Sequence, residues 1–570
     1  MKKAILIITS IILVAGTYWY FSKLPAIAPA GNKSANQEFI PVVVVPHFDD
    51  FSEKRKELLA DVGKKYSPET AVVVSVDHFN AGASNITTTK KTWKLAGGEA
   101  TPVEALVNQL ADSKIAGLDE ASFEKEHGIT NVLADVTTNI SKNFLPIIIK
   151  DGTSRAEVDK LADWLNDNCN DCQIIASVDF SHYQPNALAK IHDQYSIQAL
   201  SGLDFDKIWQ AETDSPQALY LAARIADKRS AKNFNLFYNG NSGAEAKNDD
   251  AETTSVVLGY YSDKQSQTLS QPSSSFVIAG DAMFDRNVWQ RSKTAGFKSL
   301  FDNFGTRVFR GVDAPVLNLE GPVSEKSIPG IETGSMVFNF QPEIPSILKY
   351  INVGAVSLAN NHTNNAGASG FVSTKKMLDQ SGIKYFGLPT GYSEASVLRI
   401  AGEVPMTIIG IMTLENFDQA ALEAKIKAEK AAGQFVIVYP HWGTEYAPKH
   451  SASQRQMAKE WIAAGANLIV GSHPHVTQDF EIIDGKPVVY SLGNFVFDQF
   501  FSEETQQGLI LAGTITKEKI TLTFLPTKEI KVKPQLMRGA EKASKIKSVL
   551  DINSEIGFKK LSSDTIELIK

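Results

Sequence analysis

The stretch Leu468-Ile469-Val470-Gly471-Ser472-His473-Pro474-His475 joins a short apolar run to a glycine and two histidines. Four other segments between residues 275 and 500 share this grammar. Phe276–Ala279 runs into Gly280-Asp281, Val316–Leu319 into Glu320-Gly321-Pro322, Val353–Leu358 into Asn360-Asn361-His362, and Phe435–Tyr439 into His441-Trp442-Gly443. Short apolar runs bounded by Gly or Pro and separated by helical periodicity predict buried strands of an α/β sheet. Ligands of such sheets gather outside the carboxyl ends of the strands. The five runs are therefore expected to deliver Asp, Glu, Asn and four His to one edge, which is the makeup of a metal site. Gly280 and Gly471 are expected to let the backbone turn sharply out of the strand.

Between these strands the pattern is helical. Gln454–Ala464 aligns Met457, Trp461 and Ile462, Ser369–Leu378 aligns Phe371, Met377 and Leu378, and Ala156–Leu165 aligns Val158, Leu161 and Leu165. These stripes predict core-facing helices. The strand grammar returns nearer the amino terminus, where Val42–Val45 leads to Pro46-His47, Val72–Val76 to Asp77-His78, and Ile174–Val178 to Asp179-Phe180-Ser181-His182. Three neutral imidazoles with open positions suit Fe(II), Zn or Cu. Asp179, three residues before His182, is expected to orient that ring. Of the ten histidines, His47, His78, His182, His362, His441, His473 and His475 follow apolar runs, a bias that argues for two metal sites. His127 reads as an ordinary polar contact by default, with membership of the site as the alternative, His192 as structural on a helix, and His450 as structural in a polar loop.

At 570 residues the chain exceeds one ordinary hydrophobic core, so two domains are expected. A net charge of −7 offers no basic field for phosphate, which argues against nucleic-acid binding. Lys2 and Lys3 precede the apolar stretch Ala4–Phe21, which ends in an aromatic cluster. That pattern predicts a signal-anchor over residues 1–24 with extracytoplasmic domains, or a secreted protein if the segment is cleaved. The polar, Ser/Gln-rich stretch 262–275 reads as a linker between units at 39–261 and 276–530, and residues 531–570 as a carboxyl tail in which Ala540–Leu550 forms a short amphipathic helix. Cys169 and Cys172 are the only cysteines; outside the cytoplasm a local disulfide is expected.

Six blocks, Gly280–Arg286, Asn318–Pro322, Ala359–His362, His441–Glu445, Gly471–His475 and Ser491–Phe495, occur in an order that resembles the CapA family of capsule and poly-γ-glutamate biosynthesis. That family is similar to calcineurin-like metallophosphoesterases, which implies a metallophosphatase-like αββα sandwich. The resemblance implies Asp281 and Glu320 as carboxylate ligands, with Glu320 the bridge, Asn361 as an amide ligand, and His441, His473 and His475 as imidazole ligands. It implies His362 as the general acid or transition-state stabiliser near the leaving group. Two departures stand out. Met283 occupies the place where such phosphoesterases carry a His, and Asn365 the place of a frequent Asp. Trp442, Glu445 and Asn494 are read as packing by default, with shaping of the pocket as the alternative, and Phe495 and Phe497 as core.

The first unit resembles the Memo-like family, called AmmeMemoRadiSam system protein B in bacteria, on Pro46-His47, Asp77-His78, Thr92-Trp93, Glu126–Ile129, Ser177–Tyr183 and Thr254–Tyr261. This implies an α/β fold similar to class III extradiol dioxygenases, with His47, His78 and His182 lining a metal site and Asp179 supporting. The Cys that family members can place near the site has no counterpart here.

Together these readings predict an exported, membrane-tethered protein of cell-envelope or extracellular polymer metabolism. It would hold divalent metal ions (Mn, Zn, Fe or Mg), one site per domain, and hydrolyse a phosphoester at the site of the second unit. One rival is a metal-stabilised module that holds an anionic polymer without catalysis. Another is a non-haem iron oxygenase activity in the first unit.

Overall fold

The computed structural model describes residues 38–265, 271–325, 336–550 and 558–569. The expected signal-anchor lies outside the described residues; among those described, no helix is long and apolar enough to cross a membrane.

The first module is built on one mixed sheet. Across it run Gly117–Leu118, Ile86–Thr88, Phe144–Ile149, Thr70–Val76, Cys172–Ser177, Val42–Val45, Ser255–Ser262 and Asn233–Asn241. The third to sixth of these are mutually parallel. Buried on both faces, they are written as nearly unbroken β-branched runs. Helices Ser52–Lys65 and His127–Asn139 cover one face with Leu58, Val62, Ile129 and Val136. Arg155–Asn168 and Pro216–Lys228 cover the other with Leu161, Leu165, Leu219 and Ile225. A capping box of Ser154 and Glu157 starts the helix Arg155–Asn168. The expected disulfide, Cys169–Cys172, closes the turn from this helix into the next strand.

The second module is the expected αββα sandwich. One sheet runs Lys384–Phe386, Ala355–Ser357, Ala314–Leu319, Ser274–Ala282, Gln507–Ile515, Lys519–Ile530, Thr565–Ile569 and Lys559–Lys560. The other runs Val397–Ile400, Met406–Met412, Phe435–His441, Leu468–Val470, Lys486–Val489 and Phe480–Ile483. Ile278, Val316, Ile408, Ile437, Val470 and Leu511 interlock between the two sheets. Phe284, Val288, Ile347 and Leu378 fill the layer outside the first, and Leu422, Ile426, Ala458 and Trp461 the layer outside the second.

Two expectations need adjustment. The five ligand-bearing runs do not share one sheet: three belong to the first and two to the second, and their ends meet across the sandwich. Alternation and length specify a strand but not its neighbours. The segment after residue 530 also supplies strands, because Lys533–Leu536 and Thr565–Ile569 both pair with Lys519–Ile530.

The modules are packed together. Helix Asn186–Ser201 of the first places Leu188 and Ile191 in the apolar layer of the second.

Candidate metal centres

In the second module, the side chains from both sheets gather at one buried place. One ligand atom from each of Asp281, Glu320 and His441 lies within 4.8 Å of the others, and so does one from each of Glu445, His473 and His475. Salt-bridging contacts join the two groups. His475 Nδ1 is 3.4 Å from Asp281 Oδ2, and His475 Nε2 is 3.6 Å from Glu320 Oε1. Asp281 is held on both sides, its Oδ1 accepting from Asn318 Nδ2 at 2.8 Å and its Oδ2 from the His473 backbone N–H at 3.1 Å. Asn360 Nδ2 in turn donates to Asn318 Oδ1 at 3.0 Å. Asn361 Oδ1 meets His441 Nε2 at 2.9 Å.

The two glycines act through space rather than through a turn. Neither has a positive φ. A Cβ on Gly280 would stand 1.9 Å from the Gly493 carbonyl oxygen, and one on Gly471 2.1 Å from that of Tyr490. Close backbone approach is what demands glycine here. The left-handed backbone falls instead on the histidines, at φ 96° for His473 and 58° for His475. Such conformations persist only where surrounding contacts impose them, and they concentrate at functional sites.

The electrostatics separate the rings. Burial and the neighbouring His475 push His473 down to about 4, and burial with three nearby imidazoles holds His441 well below its ordinary range. Burial opposes a charge on His475 too, but Glu320 and Asp281 outweigh it and raise that ring to about 9. Burial and Asp281 push Glu320 upward. Glu320 Oε1 and His473 Nδ1 are buried without a hydrogen-bond partner among the described residues. Buried polar atoms are seldom left unpaired. Orphans set among carboxylates and imidazoles fit divalent cations.

His362 sits at the side of this cluster, its Nε2 3.9 Å from Glu320 Oε1 and its ring stacked on Phe338 at 4.2 Å between centroids. The Phe338 N–H donates to Asn365 Oδ1 at 2.8 Å, so that oxygen is an acceptor, and His362 Nδ1 at 3.0 Å must donate to it. Burial lowers the ring's pKa, leaving it neutral near pH 7 with a bare Nε2 facing the cluster. Asn365 therefore orients the ring without adding charge. Met283 has no part in the cluster; it is fully buried in the apolar layer, its sulfur accepting from Asp285 N–H.

The first module gathers a second centre. His47, His78 and His127 offer atoms within 4.8 Å of one another, as do His47, Asp179 and Asp214. His47 Nε2 lies 3.2 Å from Asp179 Oδ2 and 3.0 Å from Asp214 Oδ2. His78 Nδ1 meets Glu126 Oε1 at 2.6 Å, and its Nε2 is 3.7 Å from Asp214. Burial disfavours charge on both rings, yet the carboxylates prevail, raising His47 and pushing His78 to about 9. Burial would also raise Asp214, but His47 and His78 hold it below the usual carboxylate range. Asp179 Oδ2 faces the His47 ring and not the His182 ring expected, while its Oδ1 accepts the backbone N–H of His47 at 3.1 Å and of Phe48 at 3.2 Å. His182 stands outside both groups of three, and its buried Nδ1 has no hydrogen-bond partner among the described residues. That orphan and the mixed imidazole–carboxylate donors again suit a cation.

Three of these residues escape a reading based on strand ends. His127 begins a helix, Asp214 lies in the loop before Pro216–Lys228, and Glu445 follows a glycine turn. The block Glu126-His127-Gly128 is the signal that finds His127. Asp214, in Thr213-Asp214-Ser215-Pro216, looks like an ordinary helix start. His192 is buried on its helix with Nδ1 3.0 Å from Ser181 Oγ, and His450 stacks on Tyr490 at 4.0 Å.

The family model for bacterial capsule synthesis protein PGA_cap matches residues 275–499, and that for Memo-like protein matches residues 22–219. The chain fuses a Memo-like module to a PGA_cap module. The "PGA biosynthesis protein CapA" of Bacillus subtilis is 30% identical over 42% of this chain and 66% of its own length. The "Capsule biosynthesis protein CapA" of Bacillus anthracis is 30% identical over 41% of this chain and 62% of its own. A "MEMO1 family protein" of Caldivirga maquilingensis is 23% identical over 30% of this chain and 64% of its own. The chain thus spans just under two thirds of the length of these relatives.

Proposed function

We propose that the PGA_cap module is a metal-dependent phosphoester hydrolase acting in envelope or capsule-polymer metabolism, and that the Memo-like centre also takes a divalent cation. The observation that carries the first part is the meeting of buried Asp281, Glu320, His441, His473 and His475 with half-buried Glu445, in which Glu320 Oε1 and His473 Nδ1 are left open. Divalent cations held by these residues and Asn361 would clamp a phosphoryl group and acidify a bound water. The chain's own groups do the rest. Asn318 and the His473 amide fix Asp281 in one orientation, so the donors stand ready without reorganisation. An anionic ester entering beside His362 favours protonation of Nε2, and the ring then gives that proton to the departing oxygen. Stacking on Phe338 and the bond to Asn365 keep Nε2 aimed inward throughout.

The test is hydrolysis of bis(p-nitrophenyl) phosphate by the full chain with Mn(II). Turnover that drops about 10²–10⁴-fold in His362→Ala, with cation binding retained, supports the hydrolase. The core position of Met283 favours a second reading, in which the module binds an anionic polymer without cleaving it. Bound Mn(II) with no turnover in the wild type would decide for that reading. We further propose that Ala4–Phe21 tethers an exported protein; loss of membrane association on deleting residues 1–37 would support this, and retention would count against it.

A further inference from the structure

The carboxylate Asp214 of the Memo-like centre stands at the end of a short strap between helices Phe205–Gln210 and Pro216–Lys228. The PGA_cap module grips this strap along its length. Arg310 Nε donates to Ala211 O at 2.9 Å and its Nη2 to Trp209 O at 3.3 Å. The Gly311 N–H donates to Gln210 O at 3.0 Å. Arg307 Nη1 donates to Glu212 Oε1 at 2.6 Å and to Thr213 O at 3.5 Å. Glu212 is completely buried, so this guanidinium is its countercharge. Gly311 has φ 64°, and a Cβ there would stand 2.9 Å from Glu212 N, so the two loops touch backbone to backbone. Its own module meets the strap at Glu212, whose Oε2 lies 3.9 Å from His192 Nδ1, and at its far end. Thr213 Oγ1 and Asp214 N both donate to Asp179 O, at 2.8 and 3.0 Å.

We propose that Arg307 and Arg310 of the PGA_cap module are positioning residues for the cation centre of the Memo-like module. By fixing the backbone from 209 to 213 they hold Asp214 3.0 Å from His47. The Memo-like centre thereby reaches full affinity only when the second module is docked on it. The inference rests on the reading that this centre takes a divalent cation, and the experiment separates the two.

Co(II) is titrated into the full chain and followed by its visible absorption, in wild type, His47→Ala, Arg307→Ala, Arg307→Lys and Arg310→Ala. The binding class that His47→Ala removes belongs to the Memo-like centre, and the remaining class reports the PGA_cap centre and the integrity of the fold. Arg307→Ala is expected to weaken the first class about 10–100-fold and leave the second unchanged, with Arg307→Lys restoring part of the loss. Should Arg307→Ala fail to fold, Arg307→Lys and Arg310→Ala read the same quantity with milder change. A first class within twofold of wild type in all three arginine variants overturns the proposal alone. A wild type lacking any class sensitive to His47 overturns the proposal together with the reading beneath it.

Discussion

Buried ionisable groups in this chain fall into two kinds, those that meet a partner and those that burial neutralises. Asp193 is of the second kind. Burial pushes its carboxyl up to about 7, although Ser255 Oγ at 2.6 Å and Asn239 Nδ2 at 2.8 Å donate to it. An acid whose folded pKa exceeds the unfolded value of about 3.9 contributes stability below that value and loses it as pH rises through about 7. Urea midpoints at about pH 4.5 and about pH 8 should therefore fall more steeply for wild type than for Asp193→Asn; parallel profiles would show that Asp193 is ionised throughout. Asp214 belongs to the first kind, lying against both His47 and His78. Asp214→Ala should cost the Memo-like centre at least about 10-fold in Mn(II) affinity, by calorimetric titration, while leaving the PGA_cap centre intact. No pattern in the sequence distinguishes this Asp from a helix-starting one, since its partners lie far away in the chain. His47 and His78 are legible because a strand end is a local signal.

At the scale of elements, the strand Ser274–Ala282 decides where Asp281 stands. It is bound to Ala314–Leu319 on one side and Gln507–Ile515 on the other. Near its end it touches the 491–494 loop, where the Asp281 N–H donates to the Gly493 carbonyl at 3.0 Å. Gly280→Ala would drive a methyl into that carbonyl. The expected result is a loss of at least the ~1–3 kcal/mol typical of overpacking, seen as a lower thermal midpoint, together with weaker cation binding at the PGA_cap centre. An unchanged midpoint would mean the loop moves freely. The helices inferred from periodicity are present with slightly wider bounds, as Ala452–Ala464, Gly367–Gln380 and Arg155–Asn168. Their apolar stripes are local patterns that survive any tertiary arrangement, whereas the 1.9 Å approach behind Gly280 depends on a loop more than two hundred residues away.

Taken whole, the two modules form a continuous body. Lys207 Nζ–Asp313 at 2.8 Å, Arg307–Glu212, Arg538 Nη2–Glu252 at 3.1 Å and Lys542 Nζ–Asp250 at 2.8 Å cross the boundary around the Leu188 and Ile191 contact. Residues 38–265 expressed alone would lose the Arg307–Glu212 pair and the other three crossing ion pairs and would uncover Leu188 and Ile191. Calorimetry should show that fragment melting below the full chain; equal midpoints would mean the interface contributes nothing.

The amino-acid sequence by itself determined the strands, the helices, the two α/β modules and most of the candidate ligands, because periodicity and strand-end position are properties of neighbouring residues. The tertiary structure alone decided that the strands of the PGA_cap module divide three and two between facing sheets, that Asp179 serves His47, and that Asp214 and Glu445 stand with the candidate ligands. It also decided that one module's arginines grip the other's loop. Those facts arise from packing between segments distant in the chain, where van der Waals fit and paired charge choose the neighbour and no local pattern records the choice.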